Sequence, residues 1–544
     1  MKSKRIAFAA SAAALSLVLV GCGAGSGGSA ASDGDLVTVN AGEPQNPLLP
    51  GVTNETGGGR ILNVINARLV YYTADGKPKN DLAESIKQNS NSTEFTIKVK
   101  KGMKFSDGSD LNAHSFVDAW NYMANPKNAQ AQGFFLEDVK GYEPGPEKGK
   151  EGEAKDILAL EGLKILDDHT FKVELNQPAS DFALRLGYSA FAPLPKKAFE
   201  DMKAYGEKPL SSGPYKLADD GWRHNEYIKV VANDKYNGPQ KAKNKGINFK
   251  IYTKQDAAYQ DLLGGQLDAV DNIPDSAFGS YKKDLGDRAV NQPAAIFQSF
   301  TIPVSTPHFG VDDEGRLRRQ ALSMSIDRKQ ITDKVFQGTR TPAKDFTSPA
   351  IDGWSDKIPG SEVTNFDAAK AKDLWAKANA IKPWDGKFQI AYNADGGHQA
   401  WVDAVCNQIK NTLGIDAEGK PYPDFKSFRD DITNQKLKAG FRTGWQADYP
   451  GMYNFLGPTY ATGGPSNDGQ YTNPTFDKLL REGNAAPDVK TANAKYIEAQ
   501  QILLKDLPAI PLWYSNVNGG SAESVSGVKF GWDGQPLYHE IEKK

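Results

Sequence analysis

Polar and apolar residues alternate with period two in Glu94–Val99 (EFTIKV) and again in Thr170–Leu175 (TFKVEL). That is the pattern of half-buried strands, and the two segments are predicted to pair. Between them Phe116, Ala119, Trp120 and Met123 recur at helical spacing, which predicts a helix over Ala113–Ala124 started by Asp110-Leu111-Asn112. A second helix is predicted over Leu317–Val335, where Leu317, Ala321, Met324 and Ile331 are among the apolar positions. Two more are predicted over Trp401–Leu413 and Thr491–Leu504. The last leads into Leu507–Tyr514 (LPAIPLWY), whose two prolines stop the helix and whose apolar residues suit a buried extended segment. Gly213-Pro214 and the stretch around Pro303–Pro307 read as changes of path. No repeat stands out, and the irregular alternation of strand-like and helix-like stretches predicts a mixed α/β protein rather than a barrel or bundle.

The first residues do not belong to that pattern. Lys2, Lys4 and Arg5 precede an apolar stretch from Ile6 to Val20, too short and too rich in Ala and Ser for a membrane span, which needs ~20 strongly apolar residues. Residues 1–21 are therefore expected to be an export signal. It ends in Leu19-Val20-Gly21-Cys22, where a small residue exposes the backbone to a peptidase and the Cys22 thiol is the nucleophile that accepts a diacylglyceryl group. Two acyl chains suffice for stable anchoring. Residues 22–36 are then a lipidated cysteine followed by a Gly/Ala/Ser/Asp tether that cannot bury apolar surface.

Composition adds limits. The other cysteine is Cys406, inside an apolar helical pattern and read as a buried thiol, so the exported chain is expected to rely on its core rather than a disulfide. Its 544 residues allow three to four domain-sized units. The balance of 65 basic against 67 acidic residues argues against a nucleic-acid or anionic-membrane partner. The run Arg316–Arg319 is expected to be a solvated helix face. Asp312, Asp313 and Glu314 lack the ligand spacing of a calcium loop.

Five blocks occur in a fixed order: Phe105–Ala119 (FSDGSDLNAHSFVDA), Ser211–Leu217 (SSGPYKL), Leu262–Val270 (LLGGQLDAV), Leu317–Ile331 (LRRQALSMSIDRKQI) and Gly444–Leu456 (GWQADYPGMYNFL). Together they resemble the extracytoplasmic solute-binding family 5, the oligopeptide- and dipeptide-binding lipoproteins of ABC importers. The resemblance runs from about Val37 to the C-terminus, and Leu163–Leu175 (LKILDDHTFKVEL) is similar to the oligopeptide branch. It implies a periplasmic-binding-protein-like class II α/β fold, with two lobes that close on the ligand and an inserted third domain. Lobe I would comprise 37–69, 212–295 and 508–544, the inserted domain II 70–211, and lobe II 296–507. It also implies a peptide ligand, permease and ATPase subunits as partners, no cofactor or metal, no enzymatic activity, and a monomer outside the cell membrane, tied to it by the lipid alone.

A receptor for peptides of varied sequence has to hold the ends and the backbone firmly while tolerating the side chains. By resemblance, Asp448 in Gly444–Tyr449 receives the peptide ammonium, which needs a counter-charge once buried. Arg442, and with it His398 in Tyr392–His398, resemble the groups of oligopeptide binders that face the carboxylate end, and a planar guanidinium suits a carboxylate. Dipeptide binders carry an arginine near His398, and its absence favours longer peptides. Trp445 is the expected wall of a side-chain pocket, with Tyr449 and Trp401 beside it. Asn54 and Glu55 fall where the family's first lobe meets ligand, followed by Gly57-Gly58-Gly59, which would let backbone approach closely. Where the family often has a tyrosine after Asn125-Pro126, this chain reads Gln130-Ala131-Gln132-Gly133, so the contribution of domain II to the pocket is left open.

Two alternatives remain at this level. An exported hydrolase lacks support, since no Gly-x-Ser-x-Gly elbow and no His-Glu-x-x-His helix is present. The same fold could hold an oligosaccharide, a nickel complex or haem. Nine tryptophans and 21 tyrosines would serve a sugar, whereas six scattered histidines weaken the metal case.

Overall fold

The computed structural model describes residues 33–144, 155–423 and 425–544, so the expected export signal over 1–21 and Cys22 lie outside the described residues. The described end of the tether already belongs to packed protein: Leu36 is buried, and its carbonyl accepts a hydrogen bond from Lys543 Nζ at 2.6 Å.

Local chemistry explains a small four-stranded antiparallel sheet, in the order Ala83–Gln88, Glu94–Val99, Thr170–Glu174, Leu163–Asp167. Glu94–Val99 and Thr170–Glu174 are neighbours, with Phe95 opposite Val173 and Ile97 opposite Phe171. Phe95, Ile97 and Val99 point into the core while the intervening residues stay half-exposed. The helix Ala113–Ala124 lies over this sheet. Asn112 caps it, accepting from His114 N at 3.0 Å, while Ser115 Oγ accepts from Asn112 N at 3.2 Å. Trp120 on the helix's buried face meets Phe171 and Phe191 edge-on, with ring centroids 5.5 and 5.4 Å away.

The larger sheet has eleven strands among the described residues. At its centre run two 13-residue strands, Ala289–Thr301 and Ala509–Ser521, paired antiparallel along their length. One end of this pair joins Ala269–Val270, which pairs with Gly520 and Ser521, and then Val37–Ala41 and Gly246–Ile251. The other end joins Gly440–Gln446, which pairs with Ile296–Thr301, and then Phe388–Asn393. The long strands thus carry one sheet through both halves of the molecule. Their register slips between Pro293 and Phe297. The backbone groups released there find other partners: Ala295 N donates to Trp532 O at 2.8 Å, Ala295 O accepts from Ala447 N at 2.9 Å, and Ala294 O accepts from Ser348 Oγ at 2.8 Å. This irregularity adjoins Asp448.

Three expectations need correction. The helix over Leu317–Val335 is two helices, Asp313–Met324 and Arg328–Lys334, because Asp327 accepts from Gln330 N at 2.9 Å and starts the second one. The run Arg316–Arg319 is not a solvated face: Arg318 and Arg319 are 0% and 1% exposed. Arg318 donates to Glu314 at 2.9 Å, and Arg319 donates to the carbonyls of Ile302, Phe309, Leu507 and Pro508, which stitches remote segments together. Burial pulls the Arg319 guanidinium down to about 9. Gly57-Gly58-Gly59 lies inside the helix Thr56–Ile65 rather than in a loop. Cys406 is buried, and burial pushes its thiol up to about 12. Among the described residues no helix is long and apolar enough to cross a membrane.

Candidate ligand-binding cleft

The strand Gly440–Gln446 ends beside the slip in the long pair, and the chain turns through Ala447-Asp448-Tyr449 into the helix Met452–Tyr460. The turn sends Asp448 into a cavity of about 350 Å³. Thr53–Thr56 and Gly59, the turn Gln446–Asp448, and 531–539 supply three of its walls, so it lies where the two halves of the large sheet face each other.

Asn454, one turn into the helix, organises the acid. Its Nδ2 donates to Asp448 Oδ2 at 3.0 Å, and its Oδ1 accepts from Asp448 N at 3.0 Å and from Trp445 Nε1 at 2.9 Å. Burial raises the Asp448 carboxyl above the ordinary aspartate range, and the Asn454 bond only partly opposes this. Among the described residues no Lys, Arg or His forms an ion pair with it. Such a half-buried carboxylate, held by one amide, is able to accept from a cationic group.

Residues from the stretch 70–211, expected to form the inserted domain, line this cavity. Tyr188 forms part of the wall, and its phenol is pushed up to about 12, first by burial and then by the charge of Asp448. Gln132, from the segment where the family tyrosine is missing, is buried and donates to Tyr188 Oη at 3.2 Å and to Thr53 O at 2.9 Å. A tyrosine thus stands at this wall, held by the segment that lacks one of its own.

The other expected residues separate into groups. Asn54 and Glu55 share the cavity with Asp448, but the Glu55 carboxylate is occupied as a helix cap, accepting from Gly58 N at 3.0 Å. Arg442 and Trp445 line a second cavity of about 320 Å³. Arg442 Nε donates to Asn393 Oδ1 at 2.9 Å, and its guanidinium sits 5.2 and 5.4 Å from the ring centroids of Phe425 and Phe428. His398 precedes the helix Gln399–Leu413 and accepts from Trp401 Nε1 at 3.1 Å, lining neither of these two cavities. Trp401 and Tyr449 line neither of these two cavities. Trp401 is 2% exposed and packs edge-on against Trp513 at 5.4 Å. Tyr449 is buried and donates to Asp181 Oδ2 at 2.7 Å, beneath the guanidinium of Arg185. It fastens the turn of Asp448 to the segment around Asp181 and Arg185. Asn454, Tyr188 and Arg68, which also lines the first cavity, escaped sequence reasoning because no local pattern marks them. Among the described residues no cluster of His, Cys, Asp or Glu is placed to hold a metal ion.

Residues 77–467 match the bacterial extracellular solute-binding proteins, family 5 Middle. The chain belongs to this family. The oligopeptide-binding protein OppA of Bacillus subtilis is 28% identical over 495 residues, covering 88% of each chain. The periplasmic oligopeptide-binding protein OppA of Salmonella typhimurium is 27% identical over 460 residues, covering 82% of this chain and 81% of its own. Among solved structures, the unliganded open form of the periplasmic murein tripeptide binding protein MppA superposes with a TM-score of 0.79 at 23% identity, over 93% of this chain and 97% of its own. Haemophilus influenzae OppA in complex with RPPGFSPFR gives a TM-score of 0.69 at 23% identity, over 94% and 99%. The fold is thus the two-lobed α/β architecture expected from the sequence.

Proposed function

We propose that the protein is the substrate-binding component of an ABC importer, capturing oligopeptides between its two lobes and handing them to a membrane permease. The observation that carries this reading is Asp448, a half-buried carboxylate aimed into the cleft cavity with Asn454 to orient it and no ion-pair partner among the described residues. A peptide ammonium supplies the missing charge. The OppA relatives, named as oligopeptide-binding, support the same ligand class. The better superposition on the unliganded open form of MppA supports reading this conformation as the open state. The slip at Pro293–Phe297 in the strands common to both halves is the natural place for the bend that closes them.

In this reading lobe I is 37–69 with 212–295 and 508–544, domain II is 70–211 and lobe II is 296–507. Asp448 holds the peptide ammonium, Arg442 and His398 serve the far end of a longer peptide, Trp445 walls a side-chain pocket, and Asn54 and Glu55 meet the ligand from the first lobe. The protein releases its ligand uncleaved. Cys22 carries the lipid that keeps this monomer on the outer face of the cell membrane, within reach of its permease.

Mass spectrometry of what co-purifies with the full chain, followed by calorimetry, tests the reading. Peptides should be recovered intact and bind with a free N-terminus, and N-acetylation should abolish binding. Recovery of a cello-oligosaccharide, a nickel complex or haem instead, or turnover of the added peptide, would overturn it.

A further inference from the structure

Arg68 lines the same cavity as Asp448 and is 8% exposed. It lies in the segment that leaves the helix Thr56–Ile65, where Ala67 N is pinned to Ser212 Oγ at 3.1 Å, so its position is set by backbone rather than by a partner for its charge. A guanidinium carries five N–H donors. Here Nη1 donates to Asn66 O at 2.9 Å, and Nε is buried without any partner.

The neighbouring carboxylates do not satisfy it. The carboxylates of Asp81 and Asp533 and the phenols of Tyr72 and Tyr236 act on its charge, yet neither carboxylate forms an ion pair with Arg68 among the described residues. Asp81 accepts from Tyr236 Oη at 2.9 Å, and burial lifts its carboxyl to about 6. Asp533 accepts from Gln535 N at 3.0 Å, and burial raises it as well. The attraction of these acids does not make up for the loss of water, so burial leaves the Arg68 guanidinium below its ordinary range. A buried cation with idle donors is costly to keep unless something supplies the acceptor.

The rest of the lining defines what that is. Glu55, Asp448 and Asp533 are acidic, and His539, the remaining basic side chain there, is pushed toward its neutral form by burial. The three carboxylates disfavour an anionic group in this cavity and Arg68 is the cation that can receive one, whereas an ammonium is drawn to Asp448. We propose that Arg68 is a specificity residue that receives a carboxylate of the bound peptide, so that this cavity takes both an ammonium and a carboxylate of one ligand. The carboxylate comes either from an acidic side chain near the peptide's N-terminus or from the C-terminus of a short peptide. The proposal rests on the peptide-receptor reading.

Two sets of free-N-terminus peptides separate the sources by calorimetry on the full chain. Glu-Ala-Ala-Ala-amide and Ala-Glu-Ala-Ala-amide are compared with their Gln counterparts, and Ala-Ala with Ala-Ala-amide. The carboxylate member of at least one comparison should bind roughly 10- to 100-fold tighter, the range of a charge-assisted bidentate contact. In Arg68→Gln the ratio should fall to near one while the amide members change less than about threefold. Arg68→Lys, which keeps the charge without the planar fork, should retain part of the preference. Thermal unfolding of both variants checks the fold, and a buried cation kept for binding predicts no loss of apo stability in Arg68→Gln. A ratio near one in the wild type for every comparison, or a preference that survives Arg68→Gln, overturns the proposal and leaves peptide capture standing. Failure of the wild type to bind any of the peptides, amides included, instead strikes the peptide-receptor reading.

Discussion

Replacing Asp448 by Asn tests the cleft chemistry with minimal change of shape. The amide oxygen still accepts from Asn454 Nδ2, now 3.0 Å from Oδ2, and Asp448's backbone N–H keeps its bond to Asn454 Oδ1, so the turn is preserved. Only the charge goes. A buried ammonium that loses the carboxylate paired with it costs about 3 kcal/mol or more, which is roughly a 100-fold rise in Kd or greater. The apo protein should respond in the opposite sense. Burial raises the folded-state pKa of Asp448 above its unfolded value, so the folded chain binds the proton more readily. Such a group withdraws stability as pH rises from the unfolded carboxyl pKa, ~4, through the folded value, and has no effect below both. The Asn variant should accordingly melt at the same or a higher temperature than wild type at pH 7, with the difference vanishing in acid. Peptide affinity of the wild type should also decline as pH falls through the raised Asp448 pKa, whereas the variant's weak binding should stay flat there. Calorimetry across pH with a free and an N-acetylated alanine tetrapeptide reads all of this. If Asp448→Asn binds the free peptide within about threefold of wild type, or acetylation leaves affinity intact, the ammonium assignment is wrong.

Asn454→Ala removes the amide shared by Asp448 and Trp445 Nε1, and should weaken peptide binding about tenfold through lost orientation while destabilising the fold by about 1–3 kcal/mol, measured by calorimetry and denaturant titration. Arg319→Met leaves the buried carbonyls of Ile302, Phe309, Leu507 and Pro508 without their donor, and should cost about 3 kcal/mol or more, seen as a lower denaturation midpoint with peptide specificity unchanged. Cys406, buried with its thiol pushed up to about 12, should resist an aromatic disulfide reagent in the native protein and react once unfolded. If Cys22 carries the proposed thioether-linked lipid, the full chain should show one reactive thiol after unfolding rather than two; a count of two would refute the lipid.

Elements made by neighbours in the chain were legible in advance. The alternation in Glu94–Val99 and the apolar stripe of Ala113–Ala124 each state which side is buried, and the burial of Phe95, Ile97, Phe116 and Trp120 follows. The order of the five sequence blocks likewise placed the chain in its family, since each block keeps a local turn or helix start. Trp401 shows where this stops: helical spacing marks an aromatic as inward, yet the same mark fits a pocket wall and the core position against Trp513 that it occupies.

Tertiary structure alone decided what arrives from elsewhere. Arg318 and Arg319 read as solvated because charged side chains usually are, and they are buried because segments near 302, 309 and 507 present carbonyls that no local pattern announces. The pairing of Ala289–Thr301 with Ala509–Ser521 joins strands some two hundred positions apart and creates the slip beside which Asp448 stands. Tyr188 and Arg68 enter the cavity from segments whose sequence says nothing of a site. Periodicity records the environment averaged over one turn or one pleat, whereas the charge a side chain meets is set by whichever distant group the fold brings within a few ångströms, where the low dielectric of the interior makes that neighbour decisive.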